Sequence, residues 1–363
     1  MTAPAVSVII PVYESGSYTC ELVKSLQQQT LEELEFIFVD DCGKDGSMSV
    51  VEAAATQDSR IVCLYNKENR GPGYSRNCGI EAARGKYLAF ADADDKIPAD
   101  FYEQLYRAAE QSGALVCKGA RCDWFCDERV EKSKLNDRIR SRLATGHSVL
   151  SSFLYEHTTA LYRRDYVQKC GARNGESRQD EDTVFLAGVL NNLPAEQFCI
   201  VDEAVYYYRR HAASGSRNIG TDYLRESHAA LLEKLNIQET VPSTKDWEEY
   251  MAIQFEERLG GRIRETFGSS QITDSDRLSY LEKVMGTIRE YTGHHAGFTP
   301  LRFTRLVLEG APPQILLKAA RIQHNCKGFL RSVASRLLKT SWRLFCKEQG
   351  YPVQKAYRKE HGE

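Results

Sequence analysis

The 363-residue sequence predicts an α/β fold with a mostly parallel sheet flanked by helices, and three observations support this prediction. Short runs rich in β-branched and aromatic residues alternate with helical patterns through residue 120, which is typical of strand–helix–strand crossovers. Polar residues cluster directly after these runs, where parallel sheets bind ligands. Beyond residue 220 the pattern is helical throughout, which predicts an α-helical C-terminal region.

The elements of the sheet follow in chain order. The predicted strands are VSVIIPVY, LEFIFVDD, RIVCLYN, KYLAFAD and ALVCKGA. The predicted helices between them run from Cys20 to Gln29, Ser47 to Thr56, Gly73 to Ala83 and Asp100 to Ser112. Because the carboxyl ends of parallel strands share one edge, the polar residues after the first four strands should meet in one crevice.

The second part of the predicted domain begins with a polar stretch, Arg121 to Ser148, which we expect to be a solvated or mobile excursion. A helix SVLSSFLYE, the run TTALYRRDYV, an acidic loop opening a helix to Leu190 and an aromatic strand EAVYYYRRH follow. The C-terminal helices are expected at Asp222 to Leu235, Lys245 to Phe267, Asp274 to Thr292 and Pro313 to Phe345. The sequence therefore predicts two regions. The first is a domain of residues 1–220, with halves 1–120 and 121–220, and the second is the helical region 221–363.

Composition excludes some classes of function. The formal net charge is −2, so the chain as a whole does not predict nucleic-acid binding. The start of the sequence lacks a signal-peptide pattern, and no run of about 18 apolar residues predicts a spanning helix. Eleven scattered cysteines, several in apolar patterns (Cys63, Cys78 and Cys199), favour reduced thiols and a cytoplasmic protein. The spacing of Cys117, Cys122 and Cys126 is only loosely metal-like, since no fourth ligand is nearby.

The sequence LAFADADD ends a predicted buried strand on Asp92, Asp94 and Asp95. Carboxylates this close repel one another unless they stay hydrated or a cation binds there. Mn²⁺ or Mg²⁺ would suit such oxygen ligands and would bridge to substrate phosphates. The alternative is a solvated acidic turn that caps the following segment.

Seven motifs in order over about the first 215 residues resemble the family 2 glycosyltransferases. They are VSVIIPVYES, SLQQQT, EFIFVDDCGKDGS, NRGPGYSRNCGIEAARGKYLAFADADD, ALYRRDYV, DEDTVF and YYYRRHAASGS. The resemblance implies a GT-A fold and transfer of a sugar, hexosyl or N-acetylhexosaminyl, from a nucleotide diphosphate sugar with inversion. A UDP-sugar is the expected donor. The chain lacks the QxxRW motif and spanning helices of processive family members, so a non-processive enzyme is expected.

The resemblance also implies roles for individual residues on the donor side. Nucleotide-sugar contacts are expected from the two first strand ends, the glycine-rich segment and the acidic strand end, namely Pro11, Val12, Tyr13, Glu14, Asp41, Arg76, Asp92 and Ala93. Asp41 is alternatively a turn residue. Arg76 is alternatively a structural ion-pair partner of an aspartate.

The metal and acceptor sides follow from the same resemblance. Asp94 is expected to bind the metal, Asp92 to contact the ribose or the metal, and His211 to be a third ligand unless it is an ordinary surface histidine. Asp95 should hold the shape of the turn. Asp182 is expected to be the base that takes the acceptor's proton, with Glu181 binding the acceptor. An acidic helix N-terminus is the alternative for both residues.

The C-terminal segment carries apolar residues at helical spacing beside a basic face, with cations outnumbering acids from Ala311 onward. The stripe comprises Ile315, Ala319, Ile322, Cys326, Phe329, Val333 and Leu337. Such a helix could lie on an anionic membrane that carries a lipid-linked saccharide acceptor. It could equally pack on the preceding helices or on a second subunit, giving a homo-oligomer.

Two other functions remain open from the sequence. A sugar-phosphate nucleotidyltransferase shares the sheet and metal, but the first loop lacks the glycines and cations that bind a triphosphate. A non-catalytic scaffold is disfavoured because Asp92, Asp94 and Asp182 are all present.

Overall fold

The structure is a computed structural model that describes residues 3–125, 127–153, 155–211, 219–239, 244–295 and 298–325. The chain divides into two compact units. One comprises Met1–Gly215 with Glu233–Pro242, and the other comprises Ser216–Leu232 with Ser243–Glu363.

The first unit contains an eight-stranded sheet in the order β3-β2-β1-β4-β7-β5-β6, with β8 beside β5. The strands are β1 (Val6–Val12), β2 (Leu34–Asp40), β3 (Ile61–Tyr65), β4 (Tyr87–Phe90), β5 (Val116–Phe125), β6 (Val130–Lys132), β7 (Ala160–Arg163) and β8 (Phe198–Arg210). Strands β1 to β4 are parallel, whereas β7 is antiparallel to β4 and β5. The predicted α/β fold with a mostly parallel sheet is confirmed.

The helices of the first unit are α1 (Ser17–Gln27), α2 (Ser47–Ala55), α3 (Pro72–Ala82), α4 (Phe101–Ser112), α5 (Leu135–Ala144), α6 (Val149–Ser152), α7 (Arg164–Cys170) and α8 (Glu181–Leu190). The chain continues with α9 (Tyr223–Glu239), α10 (Lys245–Glu256), α11 (Arg262–Thr266), α12 (Asp274–His294), α13 (Arg302–Leu308) and α14 (Pro313–Asn325). A π-helix, Glu257–Gly261, joins α10 to α11, so the single helix expected from Lys245 to Phe267 is interrupted.

Helix α4 shows how the sequence determines packing on the sheet. Phe101, Leu105 and Ala109 recur every four residues and are buried, which places one apolar stripe on the core. Burial of a large apolar side chain contributes about 1.5–3 kcal/mol. The helix ends where Gly113 adopts φ = 69°, a left-handed conformation that glycine tolerates best.

The described part of the polar stretch from Arg121 to Ser148 forms regular structure, although many of its side chains are exposed. The expectation of a solvated or mobile excursion was therefore only partly right. Strand β5 continues to Phe125, β6 pairs with it, and α5 follows. Leu135 and Ile139, one turn apart on α5, are buried at 3% and 0% exposure. The many charged residues around these two positions obscured their helical spacing.

The predicted helix SVLSSFLYE is also shorter than expected, since α6 spans four residues. Ser148 caps its first turn, but Phe153 leaves the helical region with φ −102° and ψ 82°. The chain then enters a short 3-10 turn, His157–Thr159.

The expectation of a reduced Cys199 was wrong as well. Cys117 and Cys199 lie opposite each other on the neighbouring strands β5 and β8, with Cα atoms 4.7 Å apart, and form a disulfide. Sequence spacing gave no indication of this pair, because 82 residues separate the two cysteines.

Across the described residues, no helix has both the length and the apolar character that crossing a bilayer requires. Within the second unit, α14 packs on α11 and α12, and buries Leu316, Ala319 and Ala320. The described part of the tail therefore packs on preceding helices. The rest of the predicted stripe, from Cys326 to Leu337, lies outside the described residues.

Candidate active site

The candidate active site lies at the carboxyl ends of β1, β2 and β4. The parallel register pairs Val12 with Asp40 and Ile9 with Phe90, so the residues that follow these strands emerge at the same edge. Helix α3 packs closely beneath this edge, since a Cβ on Gly79 would lie 2.3 Å from Ile9 Cγ2. The topology thus brings together segments that are far apart in sequence.

Arg76 joins the acidic end of β4 to the start of α8. Its Nη2 lies 2.7 Å from Asp92 Oδ1, and its Nη1 lies 2.7 Å from Glu181 Oε1. Arg76 is only 4% exposed. Burial opposes its charge, but the two carboxylates outweigh burial and raise the pKa of Arg76. The geometry therefore matches the ion-pair alternative for Arg76, while its predicted contact with the nucleotide sugar remains a prediction.

Asp94 and His211 face each other at the mouth of the site. His211 Nε2 lies 2.8 Å from Asp94 Oδ2; the Asp94 side chain is partly exposed, whereas His211 is largely buried. Burial and the neighbouring Asp92 raise the pKa of Asp94, and His211 opposes this shift. Arg209, from the end of β8, donates from Nε to the backbone oxygen of Asp94 at 2.6 Å. The end of β8 is thereby fixed against the acidic turn.

Asp95 faces inward and stabilises the turn. Its carboxylate accepts hydrogen bonds from the Tyr206 hydroxyl at 2.7 Å and from the Arg209 backbone N–H at 2.8 Å. Burial, with Asp92 and Asp94 nearby, raises its pKa well above the ordinary value. The Asp92 backbone N–H donates to the same Tyr206 hydroxyl. The sequence did not single out Tyr206, because it is one of three consecutive tyrosines and only the register of β8 distinguishes them.

Asp41 organises the segment that leads into α3. Its Oδ1 accepts hydrogen bonds from Asn66 Nδ2 at 2.9 Å and from the Arg70 backbone N–H at 3.0 Å. Its Oδ2 accepts one from the Gly71 backbone N–H at 2.7 Å. These three donors use most of the hydrogen-bonding capacity of the carboxylate, and Asp41 is only 3% exposed. The predicted contact of Asp41 with a nucleotide stays a prediction.

The remaining donor-side residues differ in accessibility. Val12 and Ala93 are buried in the core, so their side chains are not at the surface of the site. Tyr13, directly after β1, is 49% exposed, and Pro11 is half-buried. Glu14 has φ = 45°, an uncommon conformation for a non-glycine residue. The chain therefore turns sharply directly after Tyr13.

The start of α8 supplies the second group of carboxylates. Asp180 occupies the N-cap with φ = 61°, and its carbonyl accepts the backbone N–H of Thr183. Asp180 therefore precedes the two carboxylates of the predicted site as the first capping residue of α8. Burial raises the pKa of Glu181 to about 7, against the opposing charge of Arg76. Burial and Asp180 raise the pKa of Asp182, whose side chain is 25% exposed.

His157 lies beside Asp182, and sequence reasoning missed it. Its Nδ1 is 3.6 Å from Asp182 Oδ2, and the residue is 3% exposed. The HTT segment that contains His157 is not part of any motif in the sequence. Only the sheet, which brings the turn before β7 against the start of α8, reveals the proximity.

Whether the acidic edge suits a divalent cation can be judged from its donors. Over the ranges that the structure describes, no group of three or more His, Cys, Asp or Glu side chains is arranged as a ready metal site. Asp94 and His211 nevertheless offer an oxygen and a nitrogen within 2.8 Å of each other. Cations such as Mn²⁺ and Mg²⁺ keep waters and take phosphate oxygens, so few protein ligands are required. The donor set fits a cation that arrives with a diphosphate.

The chain is similar in sequence to known glycosyltransferases. Residues 7–171 match the family model described as glycosyl transferase family 2. The chain is 27% identical over 224 residues to glycosyltransferase GlyG of Streptococcus pneumoniae, covering 58% of this chain and 72% of GlyG. It is 32% identical over 246 residues to YibD of Escherichia coli, described as an uncharacterized glycosyltransferase, covering 63% of this chain and 70% of YibD.

The fold is similar to that of S. aureus TarS, residues 1–349, solved in complex with UDP-GlcNAc. The TM-score is 0.61 at 17% sequence identity, over 93% of this chain and 91% of that chain. The similarity therefore covers the fold of nearly the whole sequence.

Proposed function

Because the chain belongs to the family 2 glycosyltransferases, we propose that it moves a sugar from a UDP-sugar to a hydroxyl of a saccharide or lipid-linked saccharide, with inversion and with a divalent cation. One observation carries this proposal. Arg76 pairs at 2.7 Å with both Asp92 and Glu181, so the acidic end of β4 and the start of α8 lie next to each other, which supports a shared site.

The donor would bind along the strand ends. The exposed ring of Tyr13 offers a stacking surface for the base. Asp41 holds the neighbouring segment in place through the Asn66 side chain and the Gly71 backbone N–H. Asp94 and His211 would hold Mn²⁺ or Mg²⁺ together with the diphosphate. When bound, the cation would supply positive charge that stabilises the departing UDP.

Asp182 is suited to act as the base. Its raised pKa means that its carboxylate takes a proton more readily than an ordinary aspartate does. As the acceptor oxygen bonds to the anomeric carbon, the bond to UDP breaks and the acceptor's proton passes to Asp182. A single displacement of this kind inverts the anomeric carbon, because attack and departure occur on opposite faces.

Glu181 would contribute to acceptor binding from the same turn of α8. Its Oε1 is paired with Arg76, which leaves its other oxygen for an acceptor hydroxyl. Arg76 is proposed to keep Asp92 and Glu181 at a fixed separation and to balance their negative charge. The repulsion between these carboxylates and the diphosphate is then small enough for the cation to offset.

Thermal-shift measurements test the donor and the metal together. The protein is heated with UDP-GlcNAc, UDP-glucose, UDP-galactose, GDP-mannose and dTDP-glucose, each with and without MnCl₂; UDP-GlcNAc is included because TarS binds it. We expect stabilisation by a UDP-sugar only with Mn²⁺. Asp94→Asn should abolish this shift, whereas Asp100→Asn, a change at an exposed position directly before α4, should not.

Turnover is measured as the release of UDP, and NMR of the product gives the configuration at its anomeric carbon. Product of inverted configuration supports the mechanism. Retained configuration, or the absence of both binding and turnover for every donor, would contradict it.

A further inference from the structure

His157 is held in a rigid turn between α6 and β7. The Tyr162 hydroxyl donates a hydrogen bond to its backbone oxygen at 2.9 Å. The imidazole packs against the Phe90 ring, with centroids 4.9 Å apart. Neither its backbone nor its ring therefore has freedom to turn away from α8.

The residue before it is fixed by buried charge. Glu156 adopts φ = 75°, a left-handed conformation that is strained for a non-glycine residue. Its carboxylate accepts from Lys118 Nζ at 3.1 Å and pairs with Arg121 Nη1 at 3.2 Å. Lys118 also donates to Thr159 Oγ1 at 3.0 Å. These contacts hold both ends of the His157–Thr159 turn in a conformation that the chain would not adopt unaided.

The two ring nitrogens of His157 have different surroundings. Nδ1 faces Asp182 Oδ2 at 3.6 Å, slightly beyond hydrogen-bond distance. Nε2 is buried and has no hydrogen-bond partner among the described residues. A ring nitrogen without a partner is better left unprotonated, so the proton belongs on Nδ1, on the side of Asp182.

This inference rests on the proposed function, in which Asp182 is the base. We propose that neutral His157 is a positioning residue that donates a hydrogen bond from Nδ1 to Asp182 once the acceptor is bound. Hydrogen bonds at catalytic groups are often long before substrate binds and shorten in the complex. The bond would orient the carboxylate toward the acceptor hydroxyl and stabilise its charged form.

His157 does not relay the proton. Burial and the positive charge of Arg76 lower the pKa of His157 well below its ordinary value. Among the described residues, Asp182 on α8 lies 3.6 Å from Nδ1, and Arg76 on α3 acts on the ring through its positive charge. A second cation beside Arg76 is unfavourable. The acceptor's proton therefore stays on Asp182, and His157 acts through geometry.

Two variants of nearly equal shape test the proposal. His157→Asn keeps an N–H donor close to the position of Nδ1, whereas His157→Leu replaces it with a methyl group. Turnover of UDP-GlcNAc, or of the panel donor with the fastest UDP release, is measured from pH 5 to 9, with Asp182→Asn as reference. Thermal unfolding and Mn²⁺-dependent UDP binding of each variant are recorded alongside.

We expect His157→Leu to lower kcat about 10- to 100-fold, since a hydrogen bond to a charged group is lost, with little change in the KM for donor. Loss of the donor raises the pKa of Asp182, so the acidic limb of the kcat profile should move to higher pH. His157→Asn should restore most of kcat and the position of the limb. In the wild-type protein, ¹⁵N NMR of histidine should show the Nδ1–H tautomer for His157.

Equal kcat and the same acidic limb in His157→Leu and the wild type, while Asp182→Asn is inactive, would overturn the role of His157 and leave the proposed function intact. A neutral Nε2–H tautomer in the wild type would also overturn it, even if His157→Leu fails to fold. Full activity of Asp182→Asn would overturn both, because the base would then lie elsewhere.

Discussion

Arg76 and Glu181 form a buried ion pair, with Nη1 and Oε1 2.7 Å apart, although 105 residues separate them in the sequence. Their side chains are 5% and 13% exposed. The same guanidinium binds Asp92 with its other nitrogen. A planar group with two donors is required to hold two carboxylates in this way, so lysine is not an equivalent replacement.

Replacement of Arg76 tests this link. Arg76→Met leaves Asp92 and Glu181 without a partner and should lower the free energy of unfolding by about 3–5 kcal/mol. Arg76→Lys should be less destabilising but should lower kcat about tenfold or more, because one carboxylate is no longer held. Urea denaturation and UDP release measure the two effects. Arg107→Met, which removes an exposed pair with Glu103, should cost less than about 1 kcal/mol. Similar losses in both Met variants would contradict the buried role of Arg76.

The pH dependence of stability should report Glu181. Its pKa is about 7 in the folded protein against an ordinary value of 4.5, so the folded state holds the proton more tightly. The stability that this proton provides is present below pH 4.5 and is lost as the pH rises through 7. Between pH 5 and 8, the wild type should therefore lose more stability than Glu181→Gln, which has no carboxyl to ionise. Unfolding free energies measured across this range give the two slopes, and parallel slopes would show that the pKa of Glu181 is not raised.

The buried pair of Lys118 and Glu156 should make a large contribution to the turn before β7. Both side chains are at most 1% exposed. Lys118→Met should lower the free energy of unfolding by about 3–5 kcal/mol, since Glu156 loses its closest cation. The double variant Lys118→Met/Glu156→Gln should be less destabilised than the sum of the two single changes. Lys86→Met, at an exposed pair with Glu110, is the control and should cost less than about 1 kcal/mol. Additive effects of Lys118→Met and Glu156→Gln would contradict this coupling.

Gly73 sets the approach of α3 to the segment before α8. A Cβ at this position would lie 2.0 Å from the backbone oxygen of Gly175. Gly73→Ala should therefore separate the two segments, lower the melting temperature and reduce kcat. Helix α3 carries Arg76, and the segment with Gly175 leads into Glu181, so the Arg76–Glu181 pair would be disturbed.

Gly286→Ala is the matched control for Gly73→Ala. A Cβ there meets no atom within 4 Å, and Gly286 lies inside α12. Alanine should stabilise this helix by about 0.5–1 kcal/mol and leave kcat unchanged. Differential scanning calorimetry and UDP release compare the two variants. Wild-type activity and stability in Gly73→Ala would show that the backbones can separate without consequence.

The sequence predicted the features that depend on local pattern. Strands β1 to β4 are nearly continuous apolar runs, and the polar residues after them lie at the edge of the sheet that carries the candidate site. It could not choose between donor contact and ion pairing for Arg76, because only the fold brings Glu181 beside it. The disulfide of Cys117 and Cys199 depends in the same way on the register of β5 and β8.

Helix α5 and His157 were missed for different physical reasons. In α5, charged residues outnumber the two apolar side chains that are buried, so the periodic signal is weak. His157 belongs to no motif, and its contact with Asp182 arises from a turn whose backbone strain is balanced by Lys118 and Arg121. Contacts of this kind depend on tertiary packing and leave little trace in local sequence.

The most direct test of the account is the turnover of Asp182→Asn at saturating UDP-sugar and Mn²⁺, with binding of UDP measured by calorimetry on the same samples. We expect kcat to fall about 1,000-fold or more with the affinity for UDP unchanged, because only the base is removed. Asp180→Asn, two residues away at the N-cap, should stay within a few fold of the wild type. Wild-type turnover in Asp182→Asn, or loss of UDP binding together with turnover, would contradict the assignment of Asp182 as the base.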